Sequence, residues 1–317
     1  MTGSHRIQIE NKRLRYDFTI RRNITVIRGE SATGKTTLLS MLQAYETEGR
    51  DSGISIHADC PCAVFNQLRW MEGRNLIHNT IVFVDENQKF ISSEEFARSV
   101  AKSDNYFVLV TRERLENLPY SVDEIYGIRI SQKYAGLKKT YNEFYRIYYP
   151  KQIEKSADIV VTEDSGSGHQ FFQHIYTDVP CLSAHGKSNI AREIRRLGNR
   201  TVLVIADGAA FGPEMERMEE LIQNGYNLIL YLPESFEWMI LTADVLKDSE
   251  VRKILLHPEN FIKSEDYVSW ERYFTHLLTE KTAGTCLHYS KTELNRSYLD
   301  DPVLPQLKKM LPDGLVS

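Results

Sequence analysis

The stretch ITVIRGESATGKTTLLSMLQAYE, residues 24–46, decides how the first half of the chain is read. A β-branched run, Ile24-Thr25-Val26-Ile27, leads into Gly29-Glu30-Ser31-Ala32-Thr33-Gly34-Lys35-Thr36, which satisfies G-x-x-x-x-G-K-[ST] without exception. Leu38, Met41, Leu42 and Tyr45 then recur at helical spacing. A strand, a glycine-bearing loop and a helix in that order make an anion cradle, because the first amides of a helix lack partners and its dipole favours negative charge. Gly29 and Gly34 let the backbone wrap phosphate oxygens, with Ser31 and Thr37 as further contacts. Lys35 would reach the β- and γ-phosphates of ATP, and the Thr36 hydroxyl would ligate Mg²⁺.

The same motif identifies the first half as resembling the P-loop nucleoside triphosphatases, and two later stretches fit that resemblance. TIVFVDENQ, residues 80–88, is an apolar strand ending in Asp85-Glu86. Asp85 fits the second acid of the class, holding Mg²⁺ through water, and Glu86 the base that orients the attacking water. YFVLVTRER, residues 106–114, supplies another strand. Thr111 at its tip would sense the γ-phosphate. Arg112 would stabilise transferring charge, or serve as a surface arginine in an ion pair. The strands in RIQIENKRLRYDFTI resemble the N-terminal β-region of transporter-type and chromosome-maintenance-type ATPases. The interval between loop and Asp85 is nevertheless short and lacks their Ser-Gly-Gly signature, so the resemblance implies a compact, reduced P-loop ATPase.

The chain has 317 residues and a formal net charge of −4, enough length for two domains and no basic excess to favour nucleic acid by total charge alone. Its four cysteines read as reduced cytosolic thiols. The Cys60-x-Cys62 pair could hold a metal only with ligands from elsewhere. No apolar run reaches membrane-spanning length and no signal pattern opens the chain, so a cytoplasmic protein without membrane contact is expected. Residues 113–155 are dense in tyrosine interleaved with Lys133, Lys138, Lys139, Arg146 and Lys151. Such a stretch suits a β-hairpin and helix packed between domains, or stacking on nucleic acid. Pro150, followed by charged residues, divides the chain into domains 1–150 and 151–317.

Beyond that point DIVVT, VPCLSA, TVLVIA and YNLILYL alternate with the helical stretches GHQFFQHIY, SNIAREIRRL and PEMERMEELIQN. Short apolar strands alternating with amphipathic helices predict a parallel sheet with ligands at the carboxyl ends of its strands. Glu163-Asp164 follow the first strand and Asp207 the third. The pattern resembles the Toprim fold of topoisomerases, primases and OLD-family nucleases, where a glutamate after the first strand and Asp-x-Asp-x-x-Gly after the third bind Mg²⁺ for phosphoryl transfer. By that resemblance Glu163 is the glutamate, Asp207 the first aspartate and Gly212 the glycine, while Ala209 stands where the second aspartate belongs. Glu234, Glu237 or Asp164 would have to supply the missing acid, and Lys291 would hold a scissile phosphate. In the tail, Trp270, Phe274, Leu277 and Leu278 suit a helix packed on the sheet, and the last residues an exposed finish.

The expected fold is therefore α/β, an N-terminal P-loop NTPase domain followed by a C-terminal Toprim-like parallel α/β domain with a helical extension. The resemblance implies an ATP- and Mg²⁺-dependent protein of the kind found in phage-defence and mobile-element ATPase–Toprim systems. It would act on nucleic acid, DNA more than RNA, with homo-oligomerisation through the ATPase domain. A regulatory switch whose second domain recruits a partner without cleaving is the alternative. A small-molecule phosphotransferase is less compatible with the additional domain.

Overall fold

The run Ile24–Ile27 is a strand buried along its whole length in a computed structural model of the chain, which describes residues 1–29, 34–73, 76–134, 136–149 and 156–312. The architecture is mixed α/β, with two sheets and two compact units: Met1–Tyr148 with His257–Val268, and Tyr149–Leu256 with Ser269–Ser317.

The strands of the first unit are β1 (His5–Glu10), β2 (Leu14–Ile20), β3 (Ile24–Ile27), β4 (Ser55–His57), β5 (Cys62–Phe65), β6 (Ile81–Val84), β7 (Tyr106–Val110), β8 (Ile125–Ile130) and β9 (Thr140–Arg146). They form one nine-stranded sheet in the order β4-β1-β2-β9-β8-β3-β7-β6-β5. The flank from β3 to β5 is parallel throughout, and its apolar strands are buried, as expected where both faces of a sheet are covered. On the other flank β1 pairs antiparallel with both β2 and β4, and alternating burial along β1 and β2 marks one covered face.

The tyrosine-rich stretch becomes the antiparallel β8–β9 hairpin, inserted between β2 and β3. Its aromatics meet one another and nearby cations: Tyr134 stacks on Tyr141, and Arg129 lies 5.1 Å over the Tyr145 ring. Lys139 pairs with Glu10 at 2.6 Å. The segment His257–Val268 belongs to this unit through backbone bonds to Met1 and Gly3 and through the Asn23 amide, which donates to the Val268 carbonyl at 2.9 Å.

The second unit carries β10 (Ile159–Thr162), β11 (Cys181–Ser183), β12 (Val202–Ile205) and β13 (Leu228–Tyr231), all parallel in the order β11-β10-β12-β13. The helices between them fall where the periodicity predicts, at Ser167–Ile175, Ile190–Leu197 and Met215–Gln223. The chain moves one way from β10 to β11 and then returns past β10 to β12. The reversal opens a crevice at the carboxyl ends of β10 and β12.

The tail helix, Trp270–Thr282, buries the four predicted apolar residues, but its main neighbour is the helix Phe236–Thr242 rather than the sheet. The expected exposed finish is instead packed: Leu307 and Leu311 are buried, and the Met310 carbonyl accepts from the Tyr231 hydroxyl at 3.1 Å. Among the described residues no helix is long and apolar enough to cross a membrane.

Candidate functional site

In the parallel flank of the first sheet, β3, β7 and β6 lie side by side, so the residues just beyond their carboxyl ends share one edge. Gly29 follows β3, Asp85 and Glu86 follow β6, and Thr111 and Arg112 follow β7. Ser31, with Glu30, Ala32 and Thr33, lies outside the described residues. The helix Lys35–Glu48 begins on Gly34, which is left-handed at φ 94° and gives its first turn no side-chain cap. A Cβ at Gly34 would also stand 2.9 Å from the Tyr16 hydroxyl, which donates to the Gly34 carbonyl at 2.8 Å. Both the dihedral and the close neighbour therefore require glycine there.

Lys35 is buried, and its ammonium donates to the Gly29 carbonyl at 2.5 Å. Burial pulls its pKa down, Arg112 adds to that, and Glu86 opposes it. Arg112 Nε lies 3.4 Å from Glu86 Oε2, so the residue read as a transition-state stabiliser forms an ion pair with the residue read as a base. Thr36 and Thr37 are exposed at the helix start, and Asp85 is half-buried. Thr111 is fully buried, and its hydroxyl accepts from the Glu113 amide at 2.9 Å. Lys35 and Arg112 thus both lie near Glu86, the first through its charge and the second through an ion pair, on an edge that also carries Asp85.

The crevice of the second sheet has the opposite character. β10 and β12 pair in register with Thr162 beside Ile205, so Glu163 and Asp207 emerge from adjacent strand ends. The Asp207 amide donates to Glu163 Oε2 at 3.2 Å, and Asp207 Oδ1 accepts from the Phe236 amide at 3.2 Å. Glu163, Asp164, Asp207, Glu237 and Lys291 all line one cavity of about 40 Å³. That volume suits an ion with water rather than an organic ligand.

Glu237 is 1 % exposed. Its Oε1 accepts from the Tyr289 hydroxyl at 2.7 Å, and Tyr289 meets Ser167 Oγ at 2.9 Å. Glu237 Oε2 is buried with no hydrogen-bond partner among the described residues. A buried carboxylate oxygen left unsatisfied is costly unless a cation or proton meets it.

Glu271, from the first turn of the helix Trp270–Thr282, is the acid the sequence reading missed. It pairs with the Lys291 ammonium. Burial raises the pKa of both Glu163 and Asp207, and in each case Glu271 is the largest of the neighbouring charges that push it further up. Burial pulls the Lys291 ammonium down, but Glu271, Glu237 and Asp207 more than reverse it, leaving its pKa above the ordinary lysine value. Lys187 also has a role here. Its ammonium donates to the Ala210 carbonyl at 2.7 Å and its charge favours ionised Glu163.

Ala209 changes meaning once the backbone is seen. The segment after β12 lies against residues 232–234: the Gly208 amide donates to the Pro233 carbonyl at 2.6 Å and the Ala209 amide to the Glu234 carbonyl at 3.1 Å. A Cβ at Gly208 would meet the Leu232 carbonyl oxygen at 2.5 Å, so only glycine allows the approach. Ala209 is 2 % exposed and does not line the cavity, and neither does Glu234. Asp164 lines it while its Oδ1 accepts from the Gly166 amide at 3.2 Å, which shapes the turn. The cluster therefore draws its charges from six separated segments. Glu163, Asp207 and Glu237 do not bring three carboxylate oxygens within 4.8 Å of one another, so the arrangement fits one Mg²⁺ held by one or two carboxylates and water. Compared with models of known protein families and with curated proteins, the chain matches none of them.

Proposed function

We propose that the chain binds and hydrolyses ATP in its first unit and that its second unit performs Mg²⁺-dependent phosphodiester cleavage on nucleic acid. The observation that carries the second half is the acid-rich cavity at the ends of β10 and β12, with a buried Glu237 oxygen lacking a partner and Lys291 beside it. Glu163 and Asp207 would hold the ion, with Glu237 completing its shell directly or through water. The ion, when bound, supplies positive charge against the phosphate oxygens. Lys291 binds and orients the scissile phosphate once it leaves Glu271. Phe172 and Phe236 line the cavity and restrict water.

The first half is supported by the motif from Gly29 to Thr36 between a buried strand and a helix, with Lys35 and Arg112 both near Glu86 at that sheet edge. Lys35 would exchange the Gly29 carbonyl for phosphate oxygens, and Glu86 would exchange Arg112 for the attacking water. The reading of a switch that recruits a partner without cleaving is favoured by one observation, the absence of a three-carboxylate convergence among the described residues.

Supercoiled plasmid incubated with Mg²⁺ or Mn²⁺ separates the two. Nicking is expected, and Glu163→Ala and Asp207→Ala should each abolish it while ATP turnover persists. Intact plasmid with every metal tried, together with unchanged function of both variants in cells, would sink the nuclease reading in favour of the switch.

A further inference from the structure

At the edge of the first sheet, β4 pairs antiparallel with β1, Gln8 opposite His57 and Glu10 opposite Ser55. Carried past the end of that ladder, the same register brings residues 59 and 60 alongside the start of β1. His5 Nδ1 lies 2.9 Å from Asp59 Oδ1, and one ligand atom each from His5, Asp59 and Cys60 lie within 4.8 Å of one another. We propose that these three side chains form a zinc site, distinct from both clusters described above.

The imidazole is pre-oriented. His5 Nε2 lies 3.0 Å from the Thr2 carbonyl, which can only accept, so Nε2 carries the hydrogen. The Tyr106 ring packs edge-on against the imidazole at 5.6 Å and, buried itself, fixes the plane. In its neutral form the ring aims the Nδ1 lone pair at a carboxylate that also offers only lone pairs, an arrangement that a ring proton bridges at 2.9 Å and that a metal ion joins once the two atoms open slightly. The nearby thiol selects the metal, because imidazole, carboxylate and thiolate together are a zinc donor set. A carbonyl that holds the second imidazole nitrogen is the usual outer support of a zinc-bound histidine. Tetrahedral zinc sets its ligand atoms about 3.3–3.8 Å apart, so the three donors need only small movements.

Binding forms the Zn–S bond as the Cys60 S–H proton leaves to solvent, and Nδ1 and the Asp59 carboxylate donate lone pairs without changing oxidation state. The Asp59 side chain is 60 % exposed, which gives the ion a path in and leaves water for the fourth position. Ligation through sulfur takes the thiolate, so proton release should accompany binding near neutral pH. Such an ion would fasten the start of β1 to the loop entering β5.

Cobalt(II) titration of the full-length chain tests the site, since a thiolate ligand adds a near-ultraviolet charge-transfer band to the tetrahedral visible bands. One equivalent should give both, and zinc should displace it. Cys60→Ser should abolish the charge-transfer band, and Asp59→Asn, on a side chain that is 60 % exposed, should weaken cobalt binding at least tenfold. Cys62→Ser and Cys181→Ser should leave the band intact, the latter because Cys181 approaches a different histidine, His169. A wild-type chain without the band overturns the proposal. So does a band that survives Cys60→Ser, or an affinity unmoved by Asp59→Asn.

Discussion

The two sheets end in clusters of different electrostatic character. Beyond β3, β6 and β7 a buried lysine donates to the carbonyl of Gly29 and an arginine pairs with Glu86, with Asp85 on the same edge. Beyond β10 and β12 at least four carboxylates lie near two lysines, and Glu163 and Asp207 resist ionisation. The proposed function asks the first cluster to receive an anion and the second a cation, and its tests follow from that contrast.

The sharpest way to break the comparison is to remove the cation. Lys35→Ala should lower the ATP turnover number about 10²- to 10³-fold, the scale for loss of a charge-stabilising donor. Turnover unchanged in a steady-state phosphate-release assay would remove the anion half of the contrast. Ala209→Asp sharpens the other half. Because Ala209 is buried away from the cavity, the new carboxylate should cost several kcal/mol and lower the thermal midpoint by about 10 °C without increasing metal-dependent cleavage. A variant of normal stability that cleaves faster would mean position 209 faces the site after all.

A smaller, pH-dependent effect follows from Glu163, whose pKa is pushed by burial and by Glu271 from 4.5 up to about 7. A raised folded-state pKa favours the protonated acid. Its stabilising contribution is therefore complete below the unfolded value and lost as pH rises through the folded one. Glu163→Gln should thus match the wild type near pH 4 and exceed it by about 2–3 kcal/mol at pH 8, at about 1.4 kcal/mol per unit of pKa difference. Mg²⁺ should narrow the gap by stabilising the wild type alone. Denaturant melts at the two pH values read the sign, and a variant weaker than wild type at pH 8 refutes it. The smallest effect is expected for Tyr289→Phe, which removes the hydroxyl between Ser167 and Glu237. Metal affinity should fall about tenfold, as for other outer-sphere losses, measured by Mn²⁺ titration. Unchanged affinity would separate Glu237 from the ion.

The contrast also explains what was legible in the sequence. The residues of the proposed phosphate loop are contiguous, so glycine, lysine and hydroxyl spacing carries that reading without knowledge of the tertiary fold. Glu163 and Asp207 were legible because each ends an apolar run that can only be a buried strand. Glu271 was not, because an acid in the first turn of a helix reads as ordinary complement to the dipole, and the apolar stripe of that helix dominates its pattern. Tyr289 and Lys187 were equally hidden, since their roles come from chain crossings far apart in sequence. Position 209 misled for a local reason. An i, i+2 pair shares a face only while the chain stays extended, and here the backbone turns against residues 232–234 immediately after Asp207.

Because the segment from His257 to Val268 belongs with Met1–Tyr148, the first unit is not encoded by one uninterrupted stretch of gene. A fragment cut after Tyr148 would lack the carbonyl that receives the Asn23 amide and the backbone partners of Met1 and Gly3. A fragment beginning there would carry twelve residues belonging to the other unit. A single cut therefore does not separate the two units, and their inheritance is tied at the level of the reading frame.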